Sequence, residues 1–280
     1  MPEAVAFNAK TSSTPVLPPR SLPLMLANET AKGLLILWAN LGTLIPELAV
    51  LVVFYLFIQF FIGGGRMVQS LYAPSLLGFS AYALSWIVTL KMVAGTLEEM
   101  NAGTLEQVHL SPLPAWILSV GRLAATLIEA AGLTALVSTG LILALGIHFT
   151  YPLDALVPVG LTLLDIAGFG LLLGALAIRV ASIGAILHVL QSIVLFLNGA
   201  FVPVSLFPGW LQLVARLLPT TLGIEVSRKI LLQGGSLVSA WSDGSLIWLV
   251  FHSATLLIAG ATAYQFSIRA ALRDGRLGPR

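Results

Sequence analysis

Six apolar stretches, each long enough to cross a lipid bilayer, constrain this chain more than any other feature. They lie near Leu44–Ile62, Tyr72–Leu90, Ala115–Ile147, Leu156–Ile178, Ile183–Leu206 and Ser245–Ile268. A crossing helix needs about 20 apolar residues, so six spans leave little of the 280 residues for anything else. A backbone in lipid must satisfy its own polar groups, which leaves helices or closed barrels. These runs are continuous and lack the alternation of barrel strands, so the chain is read as an all-α integral membrane protein. The third and fifth stretches exceed the needed length and are expected to tilt or to extend beyond the hydrocarbon.

Charge supports the same reading. Asp, Glu, Lys and Arg make up 9% of the chain, against roughly 25% in an ordinary soluble domain. That shortage excludes a soluble globular enzyme and a disordered chain. The net charge is +2, and no run of Lys and Arg follows a phosphate backbone, so no nucleic-acid partner is expected. The absence of cysteine removes disulfides and thiolate metal sites. His188 and His252 have no metal-ligand partner nearby in sequence, so neither a metal site nor a catalytic site is expected.

The distribution of basic residues sets an expected orientation. With the amino terminus inside, ten Lys and Arg fall in cytoplasmic segments, and Arg66, Arg216, Arg228 and Lys229 fall outside. This fits the positive-inside rule, and six spans return the carboxyl terminus to the inside. The expectation is a multi-pass protein of the cell (inner) membrane with both termini cytoplasmic. Residues 1–23 are rich in Ser, Thr and Pro and read as a disordered tail, while 269–280 read as a basic cytoplasmic tail. Residues 24–43 place Leu34, Leu37, Trp38 and Leu41 at amphipathic spacing, as in a helix lying in the interface.

Two polar connections stand out within the transmembrane domain, 44–268. The loop 91–114 holds Glu98, Glu99 and Glu106, three of the twelve acidic residues. Gly103 is suited to stop a helix there and Thr104 to cap the next, with Glu106 in its first turn. The outer segment 208–243 reads as short helices. Pro208 starts one, Pro219 breaks the apolar stripe of Leu211, Val214 and Leu218, and Glu225 has pairing geometry with Arg228 and Lys229.

Polar residues inside spans must pair, stay neutral or face the bundle interior. Asp165, amid Gly160, Gly168, Gly170 and Gly174, reads either as a pathway residue or as a protonated acid bonding a neighbouring helix. Glu129 lies too far past Arg122 for an i,i+4 pair, and Glu47 is placed at the inner interface. His188, Gln191 and Ser192 share one helix face, with Asn198 beyond them. They read as pathway lining or as interhelical glue. Gly170 and Gly174 have the spacing of a close helix approach.

The stretch Glu98-Glu99-Met100-Asn101-Ala102-Gly103-Thr104-Leu105-Glu106-Gln107 with Leu110-Ser111-Pro112 resembles the corresponding loop of ATP-binding-cassette type-2 exporter permeases. Asn198-Gly199-Ala200-Phe201-Val202-Pro203, Phe207-Pro208-Gly209-Trp210-Leu211, Leu218-Pro219 and Arg228 resemble the end of that family's fifth span and the segment after it. The resemblance implies a permease that pairs with a second permease, identical or sister, each docking one cytosolic ATPase subunit. Glu98, Glu99, Gly103, Thr104, Leu105 and Glu106 would contact that ATPase, and residues 24–43 would form an interfacial elbow helix. The outer short helices would dip back toward the membrane.

Neither Gly63-Gly64-Gly65 nor Gly234-Gly235 carries the Lys of a phosphate-binding loop. The chain is therefore expected to bind no cofactor itself, with ATP and Mg used by the partner. Few charges line the expected pathway, which suits a drug, lipid or lipid-linked saccharide. The alternative is a proton-coupled transporter using Asp165, Glu129 and His188, although no inverted repeat is evident. An intramembrane hydrolase fits poorly, because Gly103 stands where a Glu-Glu-x-x-x-Arg motif needs Arg.

Overall fold

The computed structural model describes residues 41–103, 115–149, 152–180 and 183–274, with scattered positions between 23 and 35. The elbow segment falls mostly outside these, as do Thr104, Leu105, Glu106 and residues 275–280. Among the described residues every regular element is helical. Six apolar helices form the bundle: α1 (Leu41–Ile62), α2 (Gln69–Asn101), α3 (Ala115–Leu145), α4 (Leu156–Arg179), α5 (Ile183–Leu197) and α9 (Ser245–Arg273). Three short helices precede α9, namely α6 (Gly209–Arg216), α7 (Thr221–Leu232) and α8 (Leu237–Ser242).

Five of the apolar helices are long and apolar enough to cross a membrane, and α5 is the shorter one. At 15 residues, α5 is about 22 Å long. This corrects the expected span Ile183–Leu206. The helix stops because Asn198 turns the chain: its Oδ1 accepts the Ala200 amide at 2.9 Å, and Gly199 takes φ +81°. A separate 3-10 turn, Val204–Leu206, follows.

The second correction concerns the loop at 91–114. Helix α2 does not end near Leu90 but runs without interruption to Asn101, 33 residues in all. Lys, Met, Ala, Leu and Glu are strong helix formers, so the helix outlasts its apolar stretch. It stops where the Gly103 amide bonds Met100 O at 3.2 Å and Gly103 itself adopts φ +66°.

The bundle is held most extensively between α4 and α9, then between α2 and α4. Small residues set that closeness. A Cβ on Gly168 would sit 2.5 Å from the Leu256 carbonyl carbon, and one on Gly260 would collide with Gly168 O. The Gly170 and Gly174 pair is used differently: Gly170 faces Val88 and Met92 of α2, while Gly174 faces Tyr264 of α9. Helices α1 and α5 join the bundle through far fewer contacts. Helix α1 is pinned to α2 by Tyr55 Oη donating to Tyr72 O at 3.0 Å and by a Gln59–Ser75 hydrogen bond.

Candidate functional site

The end of the bundle that carries Asn101 concentrates charge. Glu98 is exposed on the last turns of α2, while Glu99 is half-buried and ion-paired with Arg122 of α3. Gly95 leaves room for the Arg122 side chain, whose Cδ would lie 3.6 Å from a Cβ there. Gly95, Glu98, Glu99, Ala102 and Arg122 line an open polar hollow of about 260 Å³. A carboxylate held by one arginine and a second left at the rim offer acceptors to a basic partner surface. At this end Arg179 donates to Ser267 Oγ at 2.9 Å and lies 5.0 Å from the Phe266 ring centroid.

Further along the bundle, Lys91 of α2 is ion-paired with Glu129 of α3. Sequence reasoning compared Glu129 only with Arg122 on its own helix, and a partner on another helix leaves no local spacing signal.

The pathway candidates separate into different environments. Asp165 is fully buried, and its Oδ1 lies 2.9 Å from His252 Nδ1 of α9. His252 Nε2 in turn faces Leu217 O, 3.4 Å away, in the segment after α6. Asp165 Oδ2 has no hydrogen-bond partner among the described residues. His188 is exposed on α5 with its ring 5.9 Å from that of Trp86. Asp165, Glu129 and His188 therefore take three separate partners rather than one another.

Of His188, Gln191 and Ser192, two meet α2: His188 at Trp86, and Gln191, fully buried, as a donor to Thr89. Ser192 is exposed and returns its hydroxyl to His188 O at 2.9 Å. The Gln191–Thr89 bond is interhelical, one of the two roles that the spacing suggested.

Asn198 is fully buried at the opposite end of the bundle, where it joins a clamp. Its Nδ2 donates to Thr220 Oγ1 at 3.2 Å, which helps hold Thr220 at φ 76°, a conformation costly for a β-branched residue. Arg228 Nη2 donates to Ala200 O at 2.7 Å and to Pro74 O at 2.8 Å. Burial pushes its guanidinium below the ordinary arginine value, partly offset by Glu225. Gly78 admits this corner, since a Cβ there would collide with Ala200. The expected pairing of Glu225 with Arg228 and Lys229 is corrected: Glu225 lies 3.9 Å from Arg216, and Lys229 bonds Asp243 at 2.9 Å. Hydrogen bonds from Ser245 and the Lys229 ammonium hold the Asp243 carboxyl below the usual carboxylate range.

Beneath α7, an apolar cavity of about 200 Å³ is lined by Leu76, Ser80, Ser138, Thr162 and Ile224 among others.

A bundle of membrane-length helices, with acidic residues at one end and short helices folded over the other, is the architecture of a multi-pass membrane protein. The profile of the ABC-2 type transporter family matches residues 29–232, and the chain belongs to that family. It is 32% identical over 198 residues to the probable multidrug ABC transporter permease YbhR of Escherichia coli K12, and equally to that of Escherichia coli O157:H7. The matched region is 68% of this chain and 50% of each relative, so the chain spans about half the length of the curated relatives it matches.

Proposed function

We propose that this chain is the membrane half of an ABC exporter, with six crossings, both ends cytoplasmic and a separate cytosolic ATPase docked at the tip of α2. The observation that carries this reading is the continuation of α2 to Asn101, with Glu99 braced by Arg122 and Glu98 left exposed. Only about 20 of its 33 residues are needed to cross hydrocarbon. The remaining turns carry Glu98 and Glu99 past that length and are braced by Arg122 and by Met100, buried in one cluster with Ile178 and Ile268, which suits a docking element. Glu98, Glu99, Gly103, Thr104, Leu105 and Glu106 belong to those turns and the segment after them. ATP and Mg act in the partner, and a second permease, identical or sister, completes the transporter.

The cargo in this reading is apolar or amphipathic: a drug, lipid or lipid-linked saccharide. The multidrug description of the relatives is consistent with it. Co-purification with a candidate ABC ATPase subunit co-expressed with this chain tests the docking. Glu98→Lys and Glu106→Lys are expected to lower ATPase recovery at least about tenfold, the effect of roughly 1.4 kcal/mol, without changing the elution of the permease. Full recovery of an active, transporting complex by both variants would remove the assignment.

A further inference from the structure

A second charged locus lies between α1, α2 and α3, apart from the acidic tip. Glu47, Trp86 and Lys91, with the apolar Leu51, Leu90 and Leu133, line a cavity of about 300 Å³. Behind Lys91 stands Glu129, its ion-pair partner and only 12% exposed. Glu47 is exposed and makes no ion pair with any described residue.

The three charges are neighbours: Glu47 and Lys91 line the same cavity, and Lys91 pairs with Glu129. Glu47 falls early in α1 and Lys91 late in α2, so in the exporter reading on which this inference rests the cavity opens in the cytoplasmic half of the bundle. Two carboxylates stand against one ammonium here, and Trp86 lines the same cavity. Such a combination suits a cation: the unpaired carboxylate supplies charge attraction and the tryptophan a cation–π contact. The leucines extend the same cavity toward the membrane interior, where an alkyl chain gains by burial.

We infer that this cavity binds a monocationic amphiphile from the cytoplasmic leaflet, its head between Glu47 and Trp86 and its tail against Leu51 and Leu133. Lys91 keeps Glu129 paired and limits the site to one positive charge. An anionic amphiphile seated on Lys91 is the competing occupant, disfavoured by the two carboxylates around it.

The test uses the purified chain in phosphatidylcholine nanodiscs, without any ATPase, titrated with radiolabelled dodecyltrimethylammonium and corrected with empty nanodiscs. Saturable binding at one site per chain is expected. Glu47→Gln should weaken it at least about tenfold, and Leu51→Trp, which fills the cavity, should abolish it. Glu47 has no ion-pair partner among the described residues, so its variant is expected to elute and melt as the parent does. A separate titration with radiolabelled decanoate, below its micellar range, should show no saturable site. Parent-like binding of the cation by Glu47→Gln, or saturable decanoate binding that Leu51→Trp abolishes, would overturn the inference. Because no ATPase is present, these outcomes are independent of the co-purification result that tests the exporter reading.

Discussion

Helices α4 and α1 are both apolar enough to cross a bilayer, yet 67% of the most apolar 18-residue window around α4 is buried within the chain against 11% of that of α1. Apolarity does not account for the difference, because lipid solvates an apolar helix as well as a neighbour does. Helix α4 carries glycines that bring α9 and α2 close, together with Asp165, which bonds across to His252. Helix α1 presents Val50, Val53, Phe57 and Phe61 outward and meets α2 along one narrow strip, where Phe54 and Tyr55 pack on Phe79 and Tyr55 and Gln59 hydrogen-bond across. In this protein small residues and buried hydrogen bonds select the packed core, while bulky apolar side chains mark the faces left for lipid or another chain.

The strongest attack on that contrast is steric. Gly168→Leu or Gly260→Leu forces a side chain into the opposing backbone and is expected to cost about 3 kcal/mol or prevent folding. Gly184→Leu on α5 meets nothing within 4 Å and should leave monodisperse elution and the melting temperature unchanged. Equal damage from Gly184→Leu would erase the distinction between packed and peripheral helices.

A smaller effect is expected at Asp165. Asp165→Leu removes the acceptor for His252 and should destabilise the protein by about 1 to 3 kcal/mol. Asp165→Asn keeps an acceptor oxygen and should cost under about 1 kcal/mol by thermal melting. A transport assay on Asp165→Asn then separates the two roles: parent-like rate marks a packing residue, and a collapsed rate with intact melting marks a pathway residue.

The smallest effect concerns Glu99 and Arg122, each about a quarter exposed. A double-mutant cycle through Glu99→Gln and Arg122→Gln should return a coupling of about 1 kcal/mol that shrinks in salt. A coupling of zero would mean that the tip of α2 is not braced by α3.

Much of this fold was legible in the sequence. The starts of α4 and α9 fall at Leu156 and Ser245, where apolar stretches begin, and the described parts of α3 and α5 open at Ala115 and Ile183. The ends were harder to read. Apolarity marks where lipid begins and ends, not where a helix does, so Lys91, Glu98 and Glu99 looked like loop while remaining good helix residues. At the end of α5 the opposite error arose, because Asn198-Gly199 lay inside an apolar run that continues to Leu206. The Asn-Gly pair is a turn signal, and it outranked hydrophobicity. Ion pairs joining α2 to α3, and the Asp165–His252 contact joining α4 to α9, depend on which helices become neighbours, and periodicity carries no information about that.

The length of α2 has a mechanical consequence. From Pro74, whose carbonyl is gripped by Arg228, to Asn101 the helix is a stiff rod of about 40 Å, and a tilt of about 5° displaces one end by some 3 to 4 Å relative to the other. That displacement exceeds the slack at Gly78, where Ala200 leaves no space even for a methyl group. In the exporter reading proposed above, a push delivered at the acidic end of α2 is expected to pass along this rod and to emerge as a shift of the Ala200–Arg228 corner at its other end.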